Sequence, residues 1–221
     1  MQKPALEIEH LSLNLAHQQI LADFNLCLPQ GEKITLIGRS GCGKSTLLRC
    51  ILGFIVPDAG TIKIFGRHLT GQSSWELRAR MAYVAQEPEL NSGTVQANLA
   101  EVFAFRNNRH LSKNLTQVPQ LLERLLLPHN ILQKETAALS GGEKQRIAIM
   151  VALLLEREIL LLDEVTSALD QRAKDAVIGI LRRLEHISIL AIGHEQDWIK
   201  FADHVVDMSE PQGETTCTSS T

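Results

Sequence analysis

From Ala5 to Leu15 the chain alternates apolar and polar residues, "ALEIEHLSLNL", and "ADFNLCL" from Ala22 to Leu28 repeats the pattern before the turn Pro29-Gln30-Gly31. A period of two predicts half-buried antiparallel strands. "KITLIG" from Lys33 to Gly38 is more continuously apolar, which predicts a strand buried on both faces, and it runs into a helix expected over about Lys44 to Gly53. "TIKIF", bracketed by Pro57, Gly60 and Gly66, and "RMAYVAQ" from Arg80 to Gln86 predict two more strands.

From Glu87 to Ala138 the texture changes. Leu, Gln, Asn and Arg dominate, and "QLLERLLL" from Gln120 to Leu127 has the spacing of an amphipathic helix, so this stretch reads as a helical insertion. An α/β alternation then resumes, with a helix from about Gly141, a strand Glu158 to Asp163, a helix from about Gln171 to Glu185 and a strand Ile187 to Gly193. The expected organisation is one α/β domain over 1–208, its core in about 1–86 and 139–208 and its helical subdomain in about 87–138. A flexible polar tail is expected over 209–221, because "EPQGETTCTSST" has almost nothing to bury.

Composition narrows the classes. The 221 residues, 44% hydrophobic and 21% charged, suit a single large domain with an inserted lobe. A net charge of -3 and the lack of a Lys/Arg run argue against nucleic acid as a partner. Apolar runs such as Val151 to Leu155 are far short of the roughly 20 residues that span a bilayer, so a role at a membrane needs another chain to cross it. The opening "MQKPALEIEHLSL" turns acidic and alternating at once, which is no secretory leader and predicts a cytosolic protein. Cys27, Cys42, Cys50 and Cys217 fall in no C-x-x-C pair and read as free thiols, and the eight histidines form no metal-binding group.

The chemistry sits in three places. Gly38-Arg39-Ser40-Gly41-Cys42-Gly43-Lys44-Ser45-Thr46 contains G-x-x-x-x-G-K-[ST] between a strand and a helix. In such a loop backbone N–H groups curl around phosphate oxygens, Lys44 reaches the β and γ phosphates, and Ser45 can ligate Mg2+. "EILLLDE" ends an apolar strand in Asp163, placed to hold the metal, and Glu164, placed to deprotonate the attacking water. Between them, "LSGGEKQR" from Leu139 to Arg146 puts Ser140 and Glu143 at capping-box spacing and exposes Gly141 and Gly142 donors. That second phosphate-binding helix terminus asks for a second nucleotide, bound by another copy.

In these motifs and their order the chain resembles the ATP-binding-cassette family over about Ala5 to Met208, adding "SALD" from Ser167 to Asp170, the glutamine Gln86 and the histidine His194 in "AIGHE". The resemblance implies a phosphate-loop ATPase with a mixed sheet core, an antiparallel β subdomain and an inserted helical subdomain. It implies a head-to-tail homodimer, each ATP lying between Gly38 to Thr46 of one subunit and Ser140 to Gly142 of the other, with Asp170 at that interface. Glu164 is then the general base, His194 holds the γ phosphate, and Ser45, Gln86 and Asp163 surround Mg2+. The partner implied is a multi-span membrane permease at the cytoplasmic face of the inner membrane.

"LPHNILQKETAALSGGEKQR", "LLLDEVTSALDQ" and "SGTVQANL" resemble bacterial exporters of the Fet type, which implies iron export. An exporter of lipid, peptide or drug is the rival, separable by whether gene loss sensitises cells to iron and peroxide. A soluble cassette acting on ribosome or DNA is a further alternative, opposed by the charge. Three positions depart from the family pattern: Leu15 stands where an aromatic usually stacks on adenine, Glu143 replaces a glutamine, and Arg39 replaces a common proline. Glu143 is expected to turn back toward its own helix N-terminus.

Overall fold

A computed structural model describes residues 3–16 and 18–209. The opening alternation becomes β1 (Leu6–Leu15), antiparallel to β2 (Gln18–Leu28), with Leu6 opposite Leu28 and Leu13 opposite Leu21. Leu6, Ile8, Leu11 and Leu13 are buried. The parity slip between Ile8 and Leu11 is absorbed by a bulge where His10 takes a φ of 52°.

The chain then leaves for a second sheet through β3 (Lys33–Ile37), followed by α1 (Lys44–Ile51). Gly53, expected inside that helix, sits past its end at φ 70°, where a residue without Cβ stops a helix cheaply. β4 (Ala59–Ile64) returns to pair with β1, and the short β5 (Arg67–His68) completes a four-stranded antiparallel sheet in the order β2-β1-β4-β5. After the one-and-a-half-turn α2 (Ser74–Arg78) comes β6 (Met81–Val84).

The insertion holds α3 (Val95–Ala104), a run of 3-10 turns at Arg109–Gln117, α4 (Val118–Arg124), and two further 3-10 turns at His129–Gln133 and Thr136–Ala138. Thr94 caps α3, its Oγ1 accepting from Ala97 N at 3.2 Å. The helix expected over Gln120 to Leu127 starts earlier and stops at Arg124. Leu126 turns left-handed at φ 55°, and Leu127 precedes Pro128, whose ring disfavours helical backbone before it. Leu125 and Leu127 nevertheless stay buried.

α5 (Gly141–Leu154) leads to β7 (Ile159–Asp163), α6 (Gln171–Arg182) to β8 (Ser188–Ile192), and α7 (Gln196–Phe201) to β9 (His204–Asp207). The second sheet is parallel throughout, in the order β6-β7-β8-β3-β9. The expected mixed sheet is thus realised as one antiparallel and one parallel sheet. The ends of β3, β7 and β8 fall side by side, which gathers the motif residues at one edge.

β7 explains why its sequence does not alternate. Ile159 and Leu161 face a core shared with β1, β2 and α1, whereas Leu160 and Leu162 face one built by α3, α4, α5 and α6. Each such fully buried Leu or Ile contributes roughly 1.5–3 kcal/mol. The insertion has no separate core: Val95, Leu99, Phe103 and Leu122 join Ile147 and Met150 of α5 in the second cluster. Cys42 and Cys50 are free thiols, Cys27 is disulfide-bonded and so departs from that expectation, and Cys217 lies outside the described residues, as do residues 210–221 of the expected tail. Among the described residues no helix is long and apolar enough to cross a membrane.

Candidate active site

The phosphate loop closes on itself through Lys44. This side chain is 6% exposed, and its Nζ donates to the Gly38 carbonyl at 2.7 Å and the Arg39 carbonyl at 3.0 Å, with Cys42 Sγ at 3.8 Å. Gly43 is the N-cap of α1 at φ 98°, and a Cβ there would stand 2.9 Å from Ile20 Cγ2 and 3.0 Å from the Ile20 carbonyl oxygen. Both the backbone and the space therefore require glycine. Ser209, assigned to the tail in sequence, accepts from Arg39 N at 3.0 Å. The residue that departs from proline at position 39 thus provides a donor that proline lacks.

Across the sheet edge, Ser45 Oγ donates to Asp163 Oδ1 at 3.1 Å and Tyr83 Oη donates to Asp163 Oδ2 at 3.2 Å. Burial raises the Asp163 carboxyl above its ordinary range, against the pull of those two hydrogen bonds. Burial, and then the Asp163 charge, push Tyr83 up to about 12. Glu164 leaves β7 with a φ of 46°, a left-handed backbone that costs a side-chain-bearing residue about 1 kcal/mol or more and recurs at functional sites. Gln86 Nε2 donates to Glu164 Oε2 at 3.0 Å, and His194 Nε2 lies 3.4 Å from Glu164 Oε1.

The structure thus brings Lys44, Ser45, Asp163, Glu164, Gln86 and His194 into one connected site. Ser45 Oγ and the Asp163 carboxylate, 3.1 Å apart, are hard-oxygen donors of the kind Mg2+ takes, and Gln86 carries a third on its amide. Among the described residues no three His, Cys, Asp or Glu side chains cluster as a metal centre, so such an ion would complete its shell from the nucleotide and water.

The residues of the Leu139 to Arg146 stretch stand apart. Ser140 caps α5 by accepting from Glu143 N at 3.2 Å, while Glu143 Oε2 accepts from Ser140 N at 2.8 Å, the reciprocal box its spacing predicts. Lys134 Nζ, 2.9 Å from Glu143 Oε1, completes the arrangement. The Ser140 backbone donor first, and then Lys134, hold the Glu143 carboxyl below its ordinary range. Asp170 caps α6, accepting from Ala173 N at 2.8 Å. Among the described residues no hydrogen bond or ion pair joins Ser140, Gly141, Gly142 or Asp170 to the phosphate loop.

Two residues of this neighbourhood escape the motif reading. Tyr83 is the chain's only tyrosine and lies on the strand leading to Gln86, a signal available but not specific. Gln145, 1% exposed, donates from α5 to the Ala85 carbonyl at 3.1 Å, tying that helix to the residue before Gln86.

A strand, a glycine-rich loop on a helix N-terminus and a neighbouring strand ending in two acids define a phosphate-loop nucleoside triphosphatase. The family described as ABC transporter matches residues 21–167. The chain is 36% identical to the probable iron export ATP-binding protein FetA of Escherichia coli K12 over 96% of this chain and 94% of that protein. It is 35% identical to the energy-coupling factor transporter ATP-binding protein EcfA1 of Geobacillus kaustophilus, over 95% and 77% respectively. A solved ATP-binding subunit of an ABC transporter superposes with a TM-score of 0.83 at 27% identity, covering 93% of this chain and 87% of that one. The chain belongs to the ABC transporter family: it is an ATPase subunit that powers a membrane transporter.

Proposed function

We propose that this subunit energises an exporter in iron or other metal homeostasis, through ATP hydrolysis at Lys44, Asp163 and Glu164. The observation that carries the catalytic part is Glu164 standing between Gln86 Nε2 at 3.0 Å and His194 Nε2 at 3.4 Å, beside the phosphate loop. Lys44 reaches the β and γ phosphates of bound ATP, and the N–H groups of the loop take the remaining oxygens. Glu164 accepts a proton from the attacking water, Gln86 orients that water, and His194 contacts the γ phosphate. Ser45, Asp163 and Gln86 would hold Mg2+, which would supply neutralisation of the phosphate charge. Ser140 to Gly142 and Asp170 serve the nucleotide of a second copy, with which the chain forms a head-to-tail dimer in the ATP-bound state.

A multi-span permease is the partner, with this subunit on the cytoplasmic face of the membrane. What supports its docking at the insertion is a cleft of about 290 Å³ lined by Ala85, Leu99, Val102, Ile147 and Val151. Phe105 at its rim and nearby Trp75 are 60% and 72% exposed, the kind of apolar exposure that marks a protein contact.

Iron as cargo draws its support from the relative named for iron export, matched over 94% of its length against 77% for the energy-coupling relative. The test is a cell lacking the gene. Raised cell iron and peroxide sensitivity, restored by the wild-type chain and not by Glu164→Gln, is the expected result. Unchanged iron together with a defect in another solute would replace the cargo.

A further inference from the structure

We infer that Trp198 is a positioning residue for ATP hydrolysis, its buried indole fixing the loop that carries His194 against the loop that follows Glu164. The inference rests on the ATPase activity and is independent of the cargo.

Trp198 lies on α7, four residues beyond His194, and is 1% exposed. Its Nε1 donates to Thr166 Oγ1 at 2.8 Å, and Thr166, two residues after Glu164, is itself 3% exposed. The Trp198 carbonyl accepts from Thr35 Oγ1 at 3.0 Å, on the strand that feeds the phosphate loop. A single residue therefore joins the three segments that supply Lys44, Glu164 and His194.

The fit around the ring is close. A Cβ on Gly193, the residue before His194, would stand 2.4 Å from Trp198 Cγ and 2.5 Å from Cδ1, so the bare backbone leading to His194 lies directly against the indole. Phe201 packs edge-on against the ring, with centroids 5.2 Å apart at 81°. A core-filling role alone would be met by any large apolar ring. The indole N–H instead has a partner on the loop between Glu164 and Asp170, and a buried donor of this kind is oriented by its acceptor. A second tie runs parallel: Lys174 of α6, the helix capped by Asp170, pairs with Glu195, the neighbour of His194.

The chemical consequence is on geometry rather than on binding. Moving His194 relative to Glu164 by a fraction of the 3.4 Å between them spoils the alignment of water and γ phosphate while leaving the loop that binds ATP intact.

Steady-state ATP hydrolysis by Trp198→Phe, Thr166→Val, Thr166→Ser and the Trp198→Phe/Thr166→Val double variant tests this against wild type. Each of the first two is expected to lower kcat about tenfold with KM within about twofold, since the change is confined to the positioned groups. Thr166→Ser, which keeps the hydroxyl, is expected to restore kcat, and the double variant to be no worse than the worse single one. If Trp198→Phe fails to fold, Thr166→Val, of nearly unchanged shape, carries the test. A lowered Tm with kcat unchanged in Thr166→Val, or multiplicative losses in the double variant, would overturn the inference and leave Trp198 as core filling.

Discussion

His194 and Glu164 face each other across 3.4 Å at the ends of neighbouring parallel strands, β8 and β7, while Gln86 holds the other carboxylate oxygen at 3.0 Å. The carboxylate is therefore fixed from both sides by residues of the chain itself. Replacing it by an amide keeps the shape and removes the base, so Glu164→Gln should lower hydrolysis at least about a hundredfold while ATP still binds. Phosphate release and ATP-dependent dimerisation by size-exclusion chromatography check both halves. An unchanged rate removes Glu164 from the base role.

Lys44 donates to the carbonyls of Gly38 and Arg39, so it braces the loop from within. Lys44→Ala removes both this brace and the charge proposed to meet the phosphates. Equilibrium binding of ATP should weaken by at least about tenfold, as expected for loss of a charge-assisted contact of about 1.5–3 kcal/mol. Unaltered affinity would show that the backbone of the loop suffices.

Glu143 accepts from Ser140 N and pairs with Lys134, and its carboxyl is held below the ordinary carboxylate range by the Ser140 donor first and Lys134 second. For a carboxyl lowered on folding, the stabilisation is present above the unfolded-state value and is lost as pH falls through the folded one. Glu143→Gln can still accept from Ser140 but loses the charge. It should cost about 0.5–1 kcal/mol near pH 7, with the deficit closing in acid, and should change hydrolysis less than about threefold. Denaturant melts at several pH values check the first part, and a strong acceleration of hydrolysis would mean that Glu143 acts on the nucleotide.

These cases show where sequence was legible. The capping box joins residues three apart and the phosphate loop nine consecutive ones, so local spacing carries them, and the same holds for the alternation of β1. The tie of Trp198 to Thr166 spans 32 residues, and Tyr83 reaches Asp163 across 80; no periodicity encodes such pairs. The elements that went unforeseen are short. β5 has two residues, α2 five, α7 six and β9 four, too few to establish a period. The insertion reads as a helical subdomain because its composition differs, and that its apolar face merges with α5 is revealed only by packing.

Burial raises the Asp163 carboxyl above its ordinary range, so the sign is opposite to that of Glu143. A carboxyl raised on folding contributes stability that is present in acid and lost as pH rises through its folded value, leaving a buried charge that opposes folding at neutral pH. Asp163→Asn should therefore raise Tm at pH 7, with the advantage over wild type shrinking toward acid, while hydrolysis is lost. Calorimetry across pH with a parallel ATPase assay checks it. A lower Tm at pH 7 would mean that the bonds from Ser45 and Tyr83 need the full carboxylate.

Leu15 ends β1 beside Gln18, 41% exposed, where the family pattern places an aromatic against adenine. An isobutyl side chain offers adenine dispersion contact but no flat face, and a ring stacked on a base is worth about 0.5–1.5 kcal/mol beyond its area. Leu15→Tyr should therefore lower the KM for ATP by about two- to tenfold, because 1.4 kcal/mol is a factor of ten in affinity. The chemistry at Glu164 is untouched, so kcat should stay within about twofold. Inosine triphosphate, whose purine also stacks, should gain about as much, whereas a triphosphate lacking the base should gain nothing. If the KM for ATP does not move while the variant melts like wild type, the base does not lie over position 15.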